Sequence, residues 1–239
     1  MPINFISSGS NSANTGYVAS TYTTPSITFS AGDYFLYFNN PQAAFAIPSA
    51  TATLKGITGT MVKDPNPGGS HATQYTLWQF LGVTAGTGTI TVTCTGGSFG
   101  LLSLSWIGMT GVNWTGTVYT TDVAGNHADP QTVTGTVPTG AGAGAIFITG
   151  SDTGNPTTWA NATDIPACAV SGSQISTAVG VTYSPGSVTV GATGGGGGNG
   201  WGFPGGKSQM VFAALHSLTG PIPDEKCFQG TALQVIMVQ

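Results

Sequence analysis

With 239 residues, 5% charged side chains, four lysines, no arginine and a net charge of -4, the chain lacks the basic groups that neutralise nucleic-acid phosphates. Its 40% apolar and 10% aromatic content suffices for a core and argues against disorder, and no run approaches the roughly 18 apolar residues of a membrane-spanning helix. Chains of this length fold as one large β domain or as two coupled halves, and both readings stay open.

In chain order, an N-terminal segment covers 1–24. Its start, Met1-Pro2-Ile3-Asn4-Phe5, has neither the basic nor the apolar region of a secretory signal. Met1 favours a chain made and assembled in the cytoplasm. A first β half follows over 25–111, with strand signals at Ser26–Phe29, Tyr34–Phe38, Thr89–Thr93 and Leu101–Ile107, each bounded by Gly, Pro, Asn or Ser. The polar, turn-rich stretch 112–131 reads as a linker. A second β half spans 132–239, with strands expected at Ala145–Thr149, Ser187–Val190, Met210–Leu215 and Leu233–Val238. Several of these runs alternate apolar residues with Thr or Ser, the period of a half-buried antiparallel strand. No segment carries a capped 3.6-residue period, so little helix is expected.

The two halves repeat one order of elements. In the first, Pro25–Phe29 leads through Ala31-Gly32-Asp33 into Tyr34–Phe38, then come Ala85–Thr93 and Leu102–Gly111. In the second, Thr132-Val133-Thr134 leads through Gly140–Gly144 into Ala145–Ile148, then come Ser184–Val190 and Val211–Gly220. A lone sheet with one apolar face cannot bury that face, so the halves are expected to stack face to face. The fold class is therefore all-β: an antiparallel, jelly-roll-like β-sandwich built from two pseudo-repeated halves, forming one domain overall.

Only the second half carries a long Gly-rich stretch, Gly194–Gly206, between two strands of its repeat. Ordering five consecutive glycines costs considerable backbone entropy. The stretch reads either as a mobile loop whose aromatics fold back as a plug or as a partner surface, with Asn199, Trp201 and Phe203 as its binding residues. Trp78, Trp114 and Trp159 are core plugs or, if exposed, a sugar-stacking platform.

Reactive constellations are missing from the sequence. His71, His127 and His216 stand apart, and Asn126–Asp129 with Asp122 reads as a surface turn, as do Asp64 with Asn66 and Asp152 with Asn155. No Gly-x-Ser-x-Gly nucleophile elbow introduces a strand-to-helix turn, a glycosidase-type Asp pair is possible but unsupported by any pattern, and the Gly-rich stretch lacks the context of a P-loop. Neither a catalytic nor a metal site nor a cofactor is expected. The odd cysteine count, Cys94, Cys168 and Cys227, gives no disulfide framework or metal motif; the thiols read as small apolar fillers, or as one disulfide with a leftover thiol. The sequons at Asn113-Trp114-Thr115 and Asn161-Ala162-Thr163 are what so Thr-rich a chain produces by chance.

The order Ser30–Phe38, Ala85–Thr93, Leu102–Met109 resembles the β-sandwich structural proteins of tailed-phage virions and related bacterial surface proteins. The resemblance covers about Pro25 to Leu218 through strand and turn patterns. It implies a non-enzymatic virion protein of the capsid decoration or fibre type, with major capsid or tail proteins as partners, and a homo-oligomer, by family habit a trimer. The matched positions are architectural, so no functional residue follows from it. Leu233–Val238 would be aggregation-prone as a free edge and is expected to pair within the sandwich or across a subunit boundary. A carbohydrate-binding adhesin that uses loop aromatics is the rival expectation. A glycan partner is thus open, while nucleic acid and membrane insertion are not expected.

Overall fold

The computed structural model describes residues 2–40, 49–63, 74–95, 97–124, 131–137, 142–150, 158–171, 176–184, 186–192 and 208–218. Among these the only helical element is a single 3-10 turn at Pro166–Cys168; the rest is antiparallel strand and connecting turn.

The first half contains β1 (Asn4–Ala19), β2 (Thr21–Thr23), β3 (Ile27–Phe29), β4 (Gly32–Asn40), β5 (Ser49–Leu54), β6 (Ile57–Thr58), β7 (Thr60–Lys63), β8 (Gln74–Val83), β9 (Gly86–Gly88), β10 (Ile90–Thr95) and β11 (Phe99–Thr110). They form an inner sheet of order β1-β11-β4-β8-β7, an outer sheet of order β2-β10-β5-β6, and a ribbon of β3 with β9. The second half contains β12 (Val112–Ala124), β13 (Gln131–Val137), β14 (Ala143–Gly150), β15 (Thr158–Ala160), β16 (Thr163–Asp164), β17 (Val170–Ser171), β18 (Ser176–Thr182), β19 (Gly186–Ala192) and β20 (Ser208–Ser217). Its inner sheet runs β12-β20-β14-β18-β16, with β17 on β18, and its outer sheet β13-β19-β15.

The two orders superpose. β1, β11, β4 and β8 are matched by β12, β20, β14 and β18, and β2, β10 and β5 by β13, β19 and β15. In both halves the first strand pairs with the last and the second with the last but one, the wound-up pairing of a jelly roll. Three repeated segments recognised in the sequence take equivalent places: Tyr34–Phe38 and Ala145–Ile148 in β4 and β14, Thr89–Thr93 and Ser187–Val190 in β10 and β19, Leu102–Thr110 and Val211–Ser217 in β11 and β20.

Each half thus supplies two sheets where one was expected, and both inner and outer sheets include strands from stretches too polar to stand out. The segment 112–131, expected as a linker, holds β12, an edge strand of the second inner sheet. The N-terminal segment 1–24 likewise holds β1 and β2. Pairing explains both cases. β1 lies along β11 from Asn4 opposite Thr110 to Ala19 opposite Phe99, and β12 lies along β20 from Val112 opposite Ser217 to Ala124 opposite Ser208. The partner strand supplies the register that weak propensity does not.

Packing produces a four-layer stack: outer, inner, inner, outer. Between the first outer and inner sheets lie Phe29, Tyr34, Leu36, Phe38, Leu54, Trp78, Phe80, Val92, Leu104 and Trp106. Between the two inner sheets lie Phe35, Tyr37, Ile107 and Met109 from the first half against Ala145, Phe147, Val179 and Leu215 from the second. Tyr34 through Phe38 are all fully buried, because successive side chains enter different cores. The outer sheet behaves differently: β10 alternates buried Ile90, Val92 and Cys94 with partly exposed Thr91 and Thr93.

The interface between the halves has an aromatic end and a polar end. At the aromatic end Phe35 meets Trp114, Tyr119 and Phe147 edge to face, with ring centroids 5.3, 6.1 and 5.6 Å apart. Asp33 braces this end, accepting from the Trp114 indole N–H at 2.8 Å and from the Gly82 amide at 2.8 Å. At the polar end the 3-10 turn is strapped to the first half. The Ser10 hydroxyl lies 3.0 Å from the carbonyls of Ala167 and Ala169, Ser105 Oγ donates to the Cys168 carbonyl at 2.8 Å, and Cys168 Sγ donates to the Trp106 carbonyl at 3.1 Å.

If this interface holds the stack together, truncating Phe147 should cost about 3–5 kcal/mol, the usual loss for a buried Phe→Ala change. Denaturant unfolding of Phe147→Ala measures it. A loss under about 1 kcal/mol, the scale of an ordinary surface substitution, would show that the halves are stable without the contact.

Candidate functional site

The residues singled out in the sequence divide sharply by position. Asn199, Trp201 and Phe203, together with Cys227, His71, His127 and the 233–238 run, lie outside the described residues. Trp78 is 4% exposed and donates its indole N–H to Thr76 Oγ1 at 2.8 Å, so it is a core plug. Trp114 is half-buried at the interface and bound to Asp33. Cys94 and Cys168 are buried free thiols, one in each core, not joined to each other. Burial pushes the Cys168 thiol up to about 12 and raises that of Cys94, so both remain protonated and unreactive at neutral pH.

The remaining polar groups are braces too. Lys55, in the β5–β6 turn at φ 49°, donates from Nζ to the Thr84 and Ala85 carbonyls, both at 2.9 Å. Asn113 Oδ1 accepts from the Thr115 amide at 3.0 Å, closing an Asx turn, and Asn161 Nδ2 donates to the Ser187 carbonyl at 2.7 Å. No group of three or more His, Cys, Asp or Glu is gathered among the described residues.

One corner departs from this pattern. Where the edge strands β15 and β16 approach each other, the Trp159 ring lies flat on Gly180 of β18: a Cβ built on that glycine would sit 2.2 Å from Trp159 Cζ3. Asp164 pairs with Gly180 in register, so its side chain leaves the same face of β18 on which the ring rests. Trp159 Nε1 and Asp164 Oδ1 are both shielded from water without a hydrogen-bond partner, a state in which few native polar atoms are found. Desolvation raises the Asp164 carboxyl above the ordinary carboxylate value, partly offset by the Ile165 backbone N–H. Trp159 was legible in the sequence as a large aromatic. Asp164 was not, because its isolation follows from the pairing with Gly180 and no local pattern marks it.

No protein-family model, curated protein or solved structure matches the chain.

Asp164 carries a pH prediction. A carboxyl whose folded pKa is raised favours folding at acid pH, and that contribution is lost as pH rises through the raised value. Asp164→Asn removes the charge and keeps the shape. Its unfolding midpoint should lie above wild type at neutral pH, with the gap closing on acidification through the carboxylate range. A gap that does not change with pH would mean the buried charge costs nothing.

Proposed function

We propose that the protein is a non-enzymatic structural component of a virion, of the capsid decoration or fibre type, acting through protein–protein contacts as a homo-oligomer, with three copies as the expected number. The observation that carries the proposal is the tandem jelly roll itself. The chain repeats strands and pairings, and the polar side chains of Asp33, Lys55, Asn161 and Ser105 brace turns and join halves. Jelly rolls are common in viral capsid and lectin domains, and a fold alone does not choose between such roles.

Two surface features support an assembling role. The edge strands β1 and β12 run 16 and 13 residues, long templates for a neighbouring strand unless covered. Few charges oppose close approach of copies, since the whole chain has four basic and eight acidic residues. On this reading the protein resides in the virion after assembly in a host cytoplasm, with major capsid or tail proteins as neighbours.

Light scattering coupled to size exclusion, together with mass spectrometry of density-purified particles, tests the proposal. The chain should run as a stable oligomer and be found in the particle fraction. A monomer at micromolar concentration, absent from particles, would overturn the assignment.

A further inference from the structure

The geometry points to the corner between β15 and β16 as a binding site for a neutral sugar, with the Trp159 indole as platform and the Asp164 carboxylate as acceptor for the sugar hydroxyls. This site is separate from the interfaces of a virion component and does not depend on that role.

Three observations lead there. First, Trp159 is held in place by shape: its ring occupies the space a side chain at residue 180 would need, so glycine at that position is what lets the ring pack there. A ring fixed in this way offers an apolar surface at little entropic cost when a ligand arrives. Second, the corner holds one unused donor, the indole N–H, and one unused acceptor, a carboxylate oxygen, on groups that both flank Gly180. A hydroxyl can donate and accept at once, so a molecule bearing adjacent hydroxyls meets both demands, whereas a purely apolar ligand would leave both unmet. Third, no lysine or arginine occurs among the described residues of the second half, which argues against a phosphate, sulfate or carboxylate ligand. A divalent cation is disfavoured as well, since Asp164 belongs to no cluster of three ligating residues among the described residues.

Access to the corner runs through the turn between the two strands. Ala160, Asn161 and Thr163 are exposed, and Asn161, at φ 60°, ties the turn down through its single side-chain bond to the Ser187 carbonyl.

The test is titration of the full chain with a panel of neutral hexoses and their β-linked oligomers, read by calorimetry and tryptophan fluorescence. Wild type is compared with Trp159→Phe, which keeps the plug and removes the N–H, and with Asp164→Asn. Binding should weaken at least about tenfold in each variant, while thermal unfolding shows that both remain folded. Val18→Ala, at an exposed position of β1 in the first half, serves as a control and should leave affinity unchanged. If no panel member binds wild type, or if binding survives both corner substitutions, the assignment fails.

Discussion

Everything else in the stack depends on one contact, the face-to-face meeting of the two inner sheets. An inner sheet that already packs an outer sheet on one side must bury its other side as well, or expose Phe35, Tyr37, Ile107 and Met109 to water. Each large side chain buried there is worth roughly 1.5–3 kcal/mol, and each edge-to-face ring pair adds about 0.5–1.5 kcal/mol. Phe35 sits at the focus with three such ring contacts. The polar strap at the other end adds direction more than energy, because the bonds from Ser10, Ser105 and Cys168 fix the register in which the faces meet.

This constraint also explains which parts of the fold were legible in the sequence. A strand in an inner sheet faces two cores and shows as an unbroken apolar run, as at Tyr34–Phe38 and Ala145–Ile148; a strand in an outer sheet faces one core and alternates with Thr, as at Thr89–Thr93. Those strands could be read directly, together with the repeat that relates them. The edge strands could not. β1 is mostly Ser, Asn, Gly and Ala because it lies against crowded neighbours: a Cβ at Gly9 would fall 2.3 Å from the Trp106 ring. Its strand character comes from β11, whose paired residues lie 80 (Ala19–Phe99) to 106 (Asn4–Thr110) positions later in the chain, and no local window contains that information.

The same burial logic accounts for the silence of the reactive residues. A thiol, carboxylate or amine becomes useful chemically when it is accessible and its pKa is tuned toward neutrality. Here Cys168 is driven the other way, up to about 12, Asp33 spends both oxygens on neighbouring N–H groups, and Lys55 spends its ammonium on turn carbonyls. Among the described residues, Asp33 and Lys55 are thus committed to holding turns and the junction between the halves.

Against that background the β15–β16 corner stands apart because two of the three partnerless buried polar atoms among the described residues meet there, Ser103 Oγ being the third. In the first half the β5–β6 turn is closed by Lys55, whose ammonium satisfies the carbonyls around it and whose aliphatic stem covers Gly88. The second half has instead an aromatic ring covering Gly180, with a carboxyl oxygen and an indole N–H left without partners. Both halves use a large side chain to cover a glycine in a neighbouring strand; only the first also satisfies the polar groups beside it. Neither Trp159 nor Asp164 belongs to the core between the inner sheets. A hydroxyl-bearing ligand that met both groups would remove a cost that the fold leaves standing at this edge.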